Sequence, residues 1–274
     1  MINVRLNNGL KMPQLGFGVW KVDNEDAVPA VVHAVKTGYT AIDTAMIYKN
    51  EEGVGRAIKE CGVPREDLFI TTKVWNADQG YEQTLKAFDE SLERLGLDYV
   101  DLYLIHWPTP EYDDYVDTYK AMEKLYHDRK VKAIGVCNFD IDHLEKLKNE
   151  CTIRPAVNQV ECHPFLQQRE LKDYLDQEDI FLEAWSPLMQ GGEVLNHDTV
   201  TSLAKKYSKT SAQVIIRWHI QRGHIVIPKS VTPSRIEENF DVFDFELTDE
   251  DMLTIKALDR GERKGPEPKD MNMR

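Results

Sequence analysis

The chain has 274 residues, 42% of them hydrophobic and 30% charged, with 15 Gly and 12 Pro, a globular mix that is neither disordered nor fibrous. Asp and Glu number 47 against 34 Lys and Arg, a formal charge of −13, so the surface repels nucleic acid and anionic membranes. Cys61, Cys137, Cys151 and Cys162 form no CxxC pair and no apolar run approaches about 18 residues; the chain reads as a soluble, cytoplasmic protein with reduced thiols.

In chain order, the Asn8-Gly9 dipeptide between segments 3–6 and 11–13 predicts a β-hairpin. A strand near 15–18 follows, then β-like runs at 39–42, 68–72, 100–105, 131–136, 156–160, 180–184 and 225–227. Apolar residues recur at helical spacing over 26–37, 51–61, 79–96, 114–128, 141–148, 168–177, 200–207, 211–221 and 248–258. In 79–96, Leu85, Phe88, Leu92 and Leu95 share one face, and Gly96 stands where a C-cap is needed. No linker divides the chain. The alternation predicts one α/β domain over residues 1–274, a (β/α)8 TIM barrel with an N-terminal β-hairpin. An open doubly wound sheet lacks its dinucleotide fingerprint here, because Gly16-Phe17-Gly18-Val19-Trp20-Lys21 has no third glycine, and Pro228-Lys229-Ser230 lacks the glycines of a P-loop.

In a barrel, chemistry gathers at the C-terminal ends of the strands. Just past the runs stand Asp43, Lys73, His106, Asn138, Gln159, Trp185-Ser186 and Lys229-Ser230, with Tyr48 close after Asp43. A tyrosine with a reference pKa of about 10 is a poor acid near neutrality. A cation about 4 Å away contributes on the order of 4 kcal/mol at an effective dielectric of about 20. Lys73 is therefore expected to lower the pKa of Tyr48, with Asp43 as the lysine's counter-ion. A neutral His106 can orient a carbonyl oxygen by a hydrogen bond. Such a set protonates a carbonyl without a metal or a nucleophile. No GxSxG motif is present, and His33, His143, His197, His219 and His224 are scattered without ligand spacing. A Schiff base on Lys73 requires a neutral lysine, which Asp43 opposes.

Several stretches together make the chain resemble the aldo-keto reductase family: Ala41-Ile42-Asp43-Thr44-Ala45 with Tyr48 and Asn50-Glu51, Thr71-Thr72-Lys73-Val74-Trp75, and Asp101-Leu102-Tyr103-Leu104-Ile105-His106-Trp107-Pro108. Ile134-Gly135-Val136-Cys137-Asn138-Phe139, Asn158-Gln159, Ala184-Trp185-Ser186-Pro187-Leu188 and Ile227-Pro228-Lys229-Ser230 continue it. The resemblance runs from Gly16-Phe17-Gly18 to Asn239 and Phe245-Glu246-Leu247-Thr248, almost the whole chain.

The resemblance implies an NADPH-dependent oxidoreductase that reduces aldehydes or ketones to alcohols by hydride transfer, with small dicarbonyls and sugar-derived or aromatic aldehydes as substrates. It implies Asp43, Tyr48, Lys73 and His106 as a catalytic tetrad with Tyr48 as general acid. For the cofactor it implies Asn138 and Gln159 on the nicotinamide carboxamide, Trp185 stacked on the ring, and Ser186 and Leu188 along the pyrophosphate. Lys229, Ser230 and Arg235 fall at the 2′-phosphate and Glu238 and Asn239 at the adenine, with Trp20, Asp43 and Val231 completing the contacts. Lys229 and Arg235 then supply the basic pocket through which an acidic protein holds a phosphate. Trp20, Trp75 and Trp107 follow strand ends and, with His106, are expected to line the substrate pocket. A monomer is expected from the same resemblance. Cys137 stands where a serine is common and Trp185 where Tyr or Phe is usual. The short connection after His106 and the short tail 265–274 place the chain nearer the microbial members, among them diketogluconate reductases, methylglyoxal reductases and a parasite prostaglandin F synthase. They predict an open pocket for small carbonyls.

Overall fold

A computed structural model describes residues 2–274. Strand β1 (Asn3–Arg5) pairs antiparallel with β2 (Lys11–Pro13), Val4 opposite Met12. The turn between them needs a positive φ, and Gly9 supplies it at 86°. Eight parallel strands and their helices follow: β3 (Phe17–Gly18), α1 (Asn24–Thr37), β4 (Ala41–Asp43), α2 (Glu51–Glu60), β5 (Phe69–Val74), α3 (Tyr81–Leu95), β6 (Val100–Ile105) and α4 (Tyr115–His127). The chain continues with β7 (Val131–Cys137), α5 (Ile141–Glu150), β8 (Val157–Glu161), α6 (Arg169–Gln177), β9 (Phe181–Trp185), α7 (Asp198–Tyr207), α8 (Ser211–Gln221), β10 (Ile225–Val226), α9 (Pro233–Phe240) and α10 (Asp249–Lys256).

Neighbouring strands pair in sequence order from β3 to β10. The sheet closes on itself where Leu15 bridges Val226 in parallel and the Gly16 N–H donates to the Val226 carbonyl at 2.9 Å. This is the α/β barrel expected from the pattern, with strand ends shifted by up to two residues. Alternation along each strand explains why the runs are apolar throughout. Leu102 and Leu104 on β6 point into the barrel, where they pack with Phe69, Ala133, Val157 and the hairpin's Leu6 and Met12. Tyr103 and Ile105 point outward, against Phe88 and Met122 of the helices. The hairpin thus plugs one end of the barrel with apolar side chains, and the polar strand ends gather at the other.

Gly96 caps α3 in the left-handed conformation, φ 63° and ψ 40°, as its position suggested. Helix α9 has no counterpart among the helices read from periodicity; its eight residues bury only Ile236 and Asn239. No helix among the described residues is long and apolar enough to cross a membrane.

Candidate active site

Asp43 ends β4, Lys73 is the penultimate residue of β5, and His106 follows β6, so three adjacent strands deliver them to one rim. Tyr48 closes a single helical turn, Met46–Tyr48, just beyond β4. The Lys73 ammonium is fully buried and donates to Asp43 Oδ1 at 2.6 Å and to the Thr44 carbonyl at 2.8 Å. The same Nζ lies 5.1 Å from the centre of the Tyr48 ring. The His106 ring meets Tyr48 edge-on at 5.7 Å between centres and Trp75 at 5.2 Å.

The charge states follow from this packing. Burial opposes the Lys73 charge, but Asp43 and the surrounding groups prevail and hold the ammonium above its ordinary range. Lys73 is therefore a fixed cation and no Schiff-base nucleophile. Burial, seconded by Lys73, drives His106 well below its ordinary value, so its imidazole is neutral. Tyr48 departs from expectation. Burial raises its pKa and Lys73 pulls it down, and burial wins. Loss of water around the phenol is the larger effect, and Asp43, 2.6 Å from Lys73, adds to it by offsetting part of the lysine's charge.

Asn138 follows β7 and Gln159 is the central residue of β8, with their amides already engaged. Asn138 Nδ2 donates to the His106 carbonyl at 2.9 Å, and its Oδ1 accepts from the Trp185 indole N–H at 2.8 Å. Gln159 Nε2 donates to Asp43 Oδ2 at 2.8 Å and to Glu183 Oε2 at 2.9 Å. Cys137 pairs in register with Gln159 and is buried, with its thiol pushed well above the ordinary range by burial. Ser186 and Leu188, both half-buried, lie in a connection where Ser186, Met189 and Gln190 all take positive φ.

The remaining predicted residues spread outward along the rim. Lys229 and Arg235 are exposed, and among the described residues neither enters an ion pair. Ser230 Oγ accepts from the Thr232 N–H at 3.1 Å just before α9, Val231 is exposed, and Asn239 is buried. Glu238 accepts from Thr210 Oγ1 at 2.8 Å. Trp75 and Trp107 are buried, whereas Trp20 is 39% exposed with the Lys21 ammonium 4.1 Å from its ring centre. Of the three tryptophans, Trp75 alone makes a ring contact with the tetrad among the described residues.

The structure adds residues that sequence reasoning missed. Glu183 lies in the middle of β9, its only signal a lone acid in an apolar run. Glu161 accepts from the Lys264 and Gly265 N–H groups at 2.7 and 2.9 Å and so draws the C-terminal tail toward Trp185. A Cβ on Gly265 would lie 2.6 Å from the Trp185 ring. The tail ends near β5 and β6, where Asn76 Nδ2 donates to the Met273 carbonyl at 2.8 Å and the Glu111 N–H donates to Asn272 Oδ1 at 3.0 Å.

Other motif residues hold the fold. Asp101, at the plugged end, accepts from Arg65 at 2.7 Å and the Ile70 N–H at 2.9 Å. Asn50 donates to the Val19 and Val22 carbonyls, and Glu51 accepts from Thr72 and Arg94. One expectation is corrected: His219 and His224 are not scattered but converge with Cys162, their donor atoms all within 4.8 Å. Burial, with the Arg222 guanidinium nearby, holds both imidazoles well below their ordinary pKa.

A family model described as Aldo/keto reductase family matches residues 12–260. The chain is 58% identical over 269 residues, 98% of this chain and 96% of the relative, to a glyoxal reductase of Bacillus subtilis (strain 168). It is 51% identical over 266 residues, 97% and 96% of the two chains, to a methylglyoxal reductase of Escherichia coli (strain K12). A solved structure of a Gox0644 mutant in complex with NADPH is similar at TM-score 0.94 and 44% identity, over 98% of each chain. A closed barrel, polar strand ends and matches over nearly the full length agree: this chain belongs to the aldo/keto reductase family.

Proposed function

We propose that this chain is a cytoplasmic, monomeric, NADPH-dependent reductase of small dicarbonyls, with Tyr48 as general acid. One observation carries the reading: a buried Lys73–Asp43 pair, 2.6 Å apart, beside Tyr48 and a neutral His106. NADPH, when bound, supplies a hydride to the carbonyl carbon. The chain's own residues manage the oxygen. Tyr48 keeps its proton at physiological pH and donates it as negative charge develops on that oxygen; an alkoxide is the stronger base, so even a phenol with a raised pKa transfers its proton downhill. Lys73 stabilises the tyrosinate that results, and Asp43 keeps Lys73 charged and in place. His106 donates a hydrogen bond that aims the carbonyl at Tyr48.

For the cofactor, the exposed cations Lys229 and Arg235 stand on either side of the start of α9, where together they favour an anion. We assign them the 2′-phosphate with Ser230 and Val231, and Glu238 and Asn239 the adenine. Ser186 and Leu188 take the pyrophosphate, while Asn138, Gln159, Trp185, Trp20 and Asp43 hold the nicotinamide end. Trp75 and Trp107, with Trp20 at the entrance, line the substrate side. The relatives' names, glyoxal and methylglyoxal reductase, and the short connection after His106 favour small dicarbonyls.

The test is loss of NADPH absorbance with methylglyoxal and glyoxal. Tyr48→Phe lowers kcat by at least about 1,000-fold and leaves the NADPH Kd within about threefold; more than a tenth of the activity surviving would overturn the general-acid assignment. Arg235→Ala weakens NADPH by roughly 10- to 100-fold and NADH little. Equal losses would remove Arg235 from the 2′-phosphate.

A further inference from the structure

Beneath the tetrad two carboxyl groups share one amide and one cation. Gln159 Nε2 carries two N–H groups; one goes to Asp43 Oδ2 at 2.8 Å and the other to Glu183 Oε2 at 2.9 Å. Strand register puts Gln159 directly beside Glu183, so the second bond is built into the barrel. Lys73 Nζ spends its charge on Asp43. Glu183 is fully buried, and its Oε1 has no hydrogen-bond partner among the described residues. A second anion in that position would be desolvated and would face Asp43 with no cation of its own.

We propose that Glu183 is a positioning residue of the reductase site: as a neutral acid it pins Gln159 so that the amide offers a ligand only its Oε1 acceptor, and its proton sets the balance between reduced and oxidised cofactor. The proposal rests on the NADPH reading. Its first half is hydrogen-bond accounting. With both N–H groups occupied, Gln159 can accept from a carboxamide N–H and cannot donate to a carboxamide oxygen. Its second half is charge accounting. Asp43 and Lys73 cancel, so the floor of the site is neutral while Glu183 keeps its proton and carries one negative charge once the proton leaves. The nicotinamide ring is neutral when reduced and cationic when oxidised. An ionised Glu183 therefore tightens NADP+ relative to NADPH, and reciprocally NADP+ binding releases the Glu183 proton to solvent.

Asp43, Gln159, Lys73 and Cys137 surround Glu183, and the tetrad's Tyr48 and His106 lie beyond them. Burial and Asp43 push Glu183 up to about 8, against Gln159 and Lys73. Lys73 from β5, Cys137 from β7 and Tyr48 beyond β4 are all held above their ordinary ranges, and His106 beyond β6 well below its own. Asp43 on β4 is bound to Lys73.

Two measurements test this. In the cofactor-free protein, the infrared carbonyl band of a protonated carboxylic acid vanishes with a midpoint near pH 8 and is missing from Glu183→Gln. Dissociation constants of NADP+ and NADPH are then measured by fluorescence titration from pH 6 to pH 10. Both carry the same 2′-phosphate, so its titration cancels in the ratio. In the native protein NADP+ tightens roughly tenfold relative to NADPH as pH rises through the Glu183 midpoint. Glu183→Gln, which still accepts from Gln159 and cannot ionise, shows a flat ratio. Glu183→Leu weakens both forms, and Glu183→Gln recovers most of that loss. A ratio that still varies with pH in Glu183→Gln overturns the proposal, as does a flat ratio in the native protein. If neither form binds at any pH, the NADPH reading falls as well.

Discussion

Lys73 is wholly buried and still charged because Asp43 stands 2.6 Å away, and neither group is tolerable there alone. Lys73→Met should cost about 3–5 kcal/mol in denaturant unfolding, since it strands a buried carboxylate. Asp43→Asn combined with Lys73→Met should regain most of that stability while carbonyl reduction stays absent. Additive losses would show that the pair is not the source. The tetrad was legible because each member stands at or near the C-terminal end of a strand, where a polar side chain has no reason to interrupt an apolar run unless it faces a site. Glu183 and Glu161 were not. Glu183 lies within a run that otherwise reads as barrel wall, and only strand register reveals that it abuts Gln159; Glu161 ends β8, but its N–H partners Lys264 and Gly265 lie about a hundred residues further on, in a tail without pattern. The raised pKa of Tyr48 was equally hidden, because it depends first on how far packing removes the phenol from water, which no spacing encodes.

At the scale of elements, strands and long helices were readable because both faces of each strand are covered and each long helix carries one apolar stripe. Helix α9 escaped for a physical reason: apart from Pro233, its only apolar side chains are Ile236 and Phe240, too few to show a period. Its usable signal was Thr232-Pro233, an N-cap residue followed by a proline at the first helical position. The C-terminal tail has no periodicity at all, and its course is set by individual hydrogen bonds to Glu161, Asn76 and Glu111. Gly265 is where tail and site touch. Because a Cβ there would lie 2.6 Å from the Trp185 ring and 3.3 Å from Glu161 Oε2, Gly265→Ala must move either the tail or the indole. The expected result is a loss of about 1–3 kcal/mol with a shift in Trp185 emission, and weaker NADPH binding on the proposed reading. An unchanged melting temperature and emission spectrum would contradict it.

For the whole molecule, four buried groups set how stability varies between about pH 5 and 8. His106, His219 and His224 are held well below their ordinary 6.5 by burial, so the folded chain leaves them neutral where the unfolded chain protonates them. Their contribution is fully present above 6.5 and is lost as pH falls below it. Glu183 acts in the opposite sense. Raised from 4.5 to about 8, it holds in the folded state a proton that the unfolded chain has released, so it favours folding increasingly as pH falls from about 8 toward 4.5. Above 6.5 Glu183 dominates and stability rises with falling pH by about 1.4 kcal/mol per unit. Below 6.5 three histidines oppose one carboxyl, and the slope reverses, so stability falls as the unfolded chain takes up their protons. Stability should therefore peak near pH 6.5, and Glu183→Gln should flatten the alkaline side while leaving the acid side falling more steeply. Urea unfolding at half-unit steps from pH 5 to pH 8.5 checks both limbs; a profile that keeps rising from pH 6.5 to pH 8 would show that Glu183 is ionised in the folded protein.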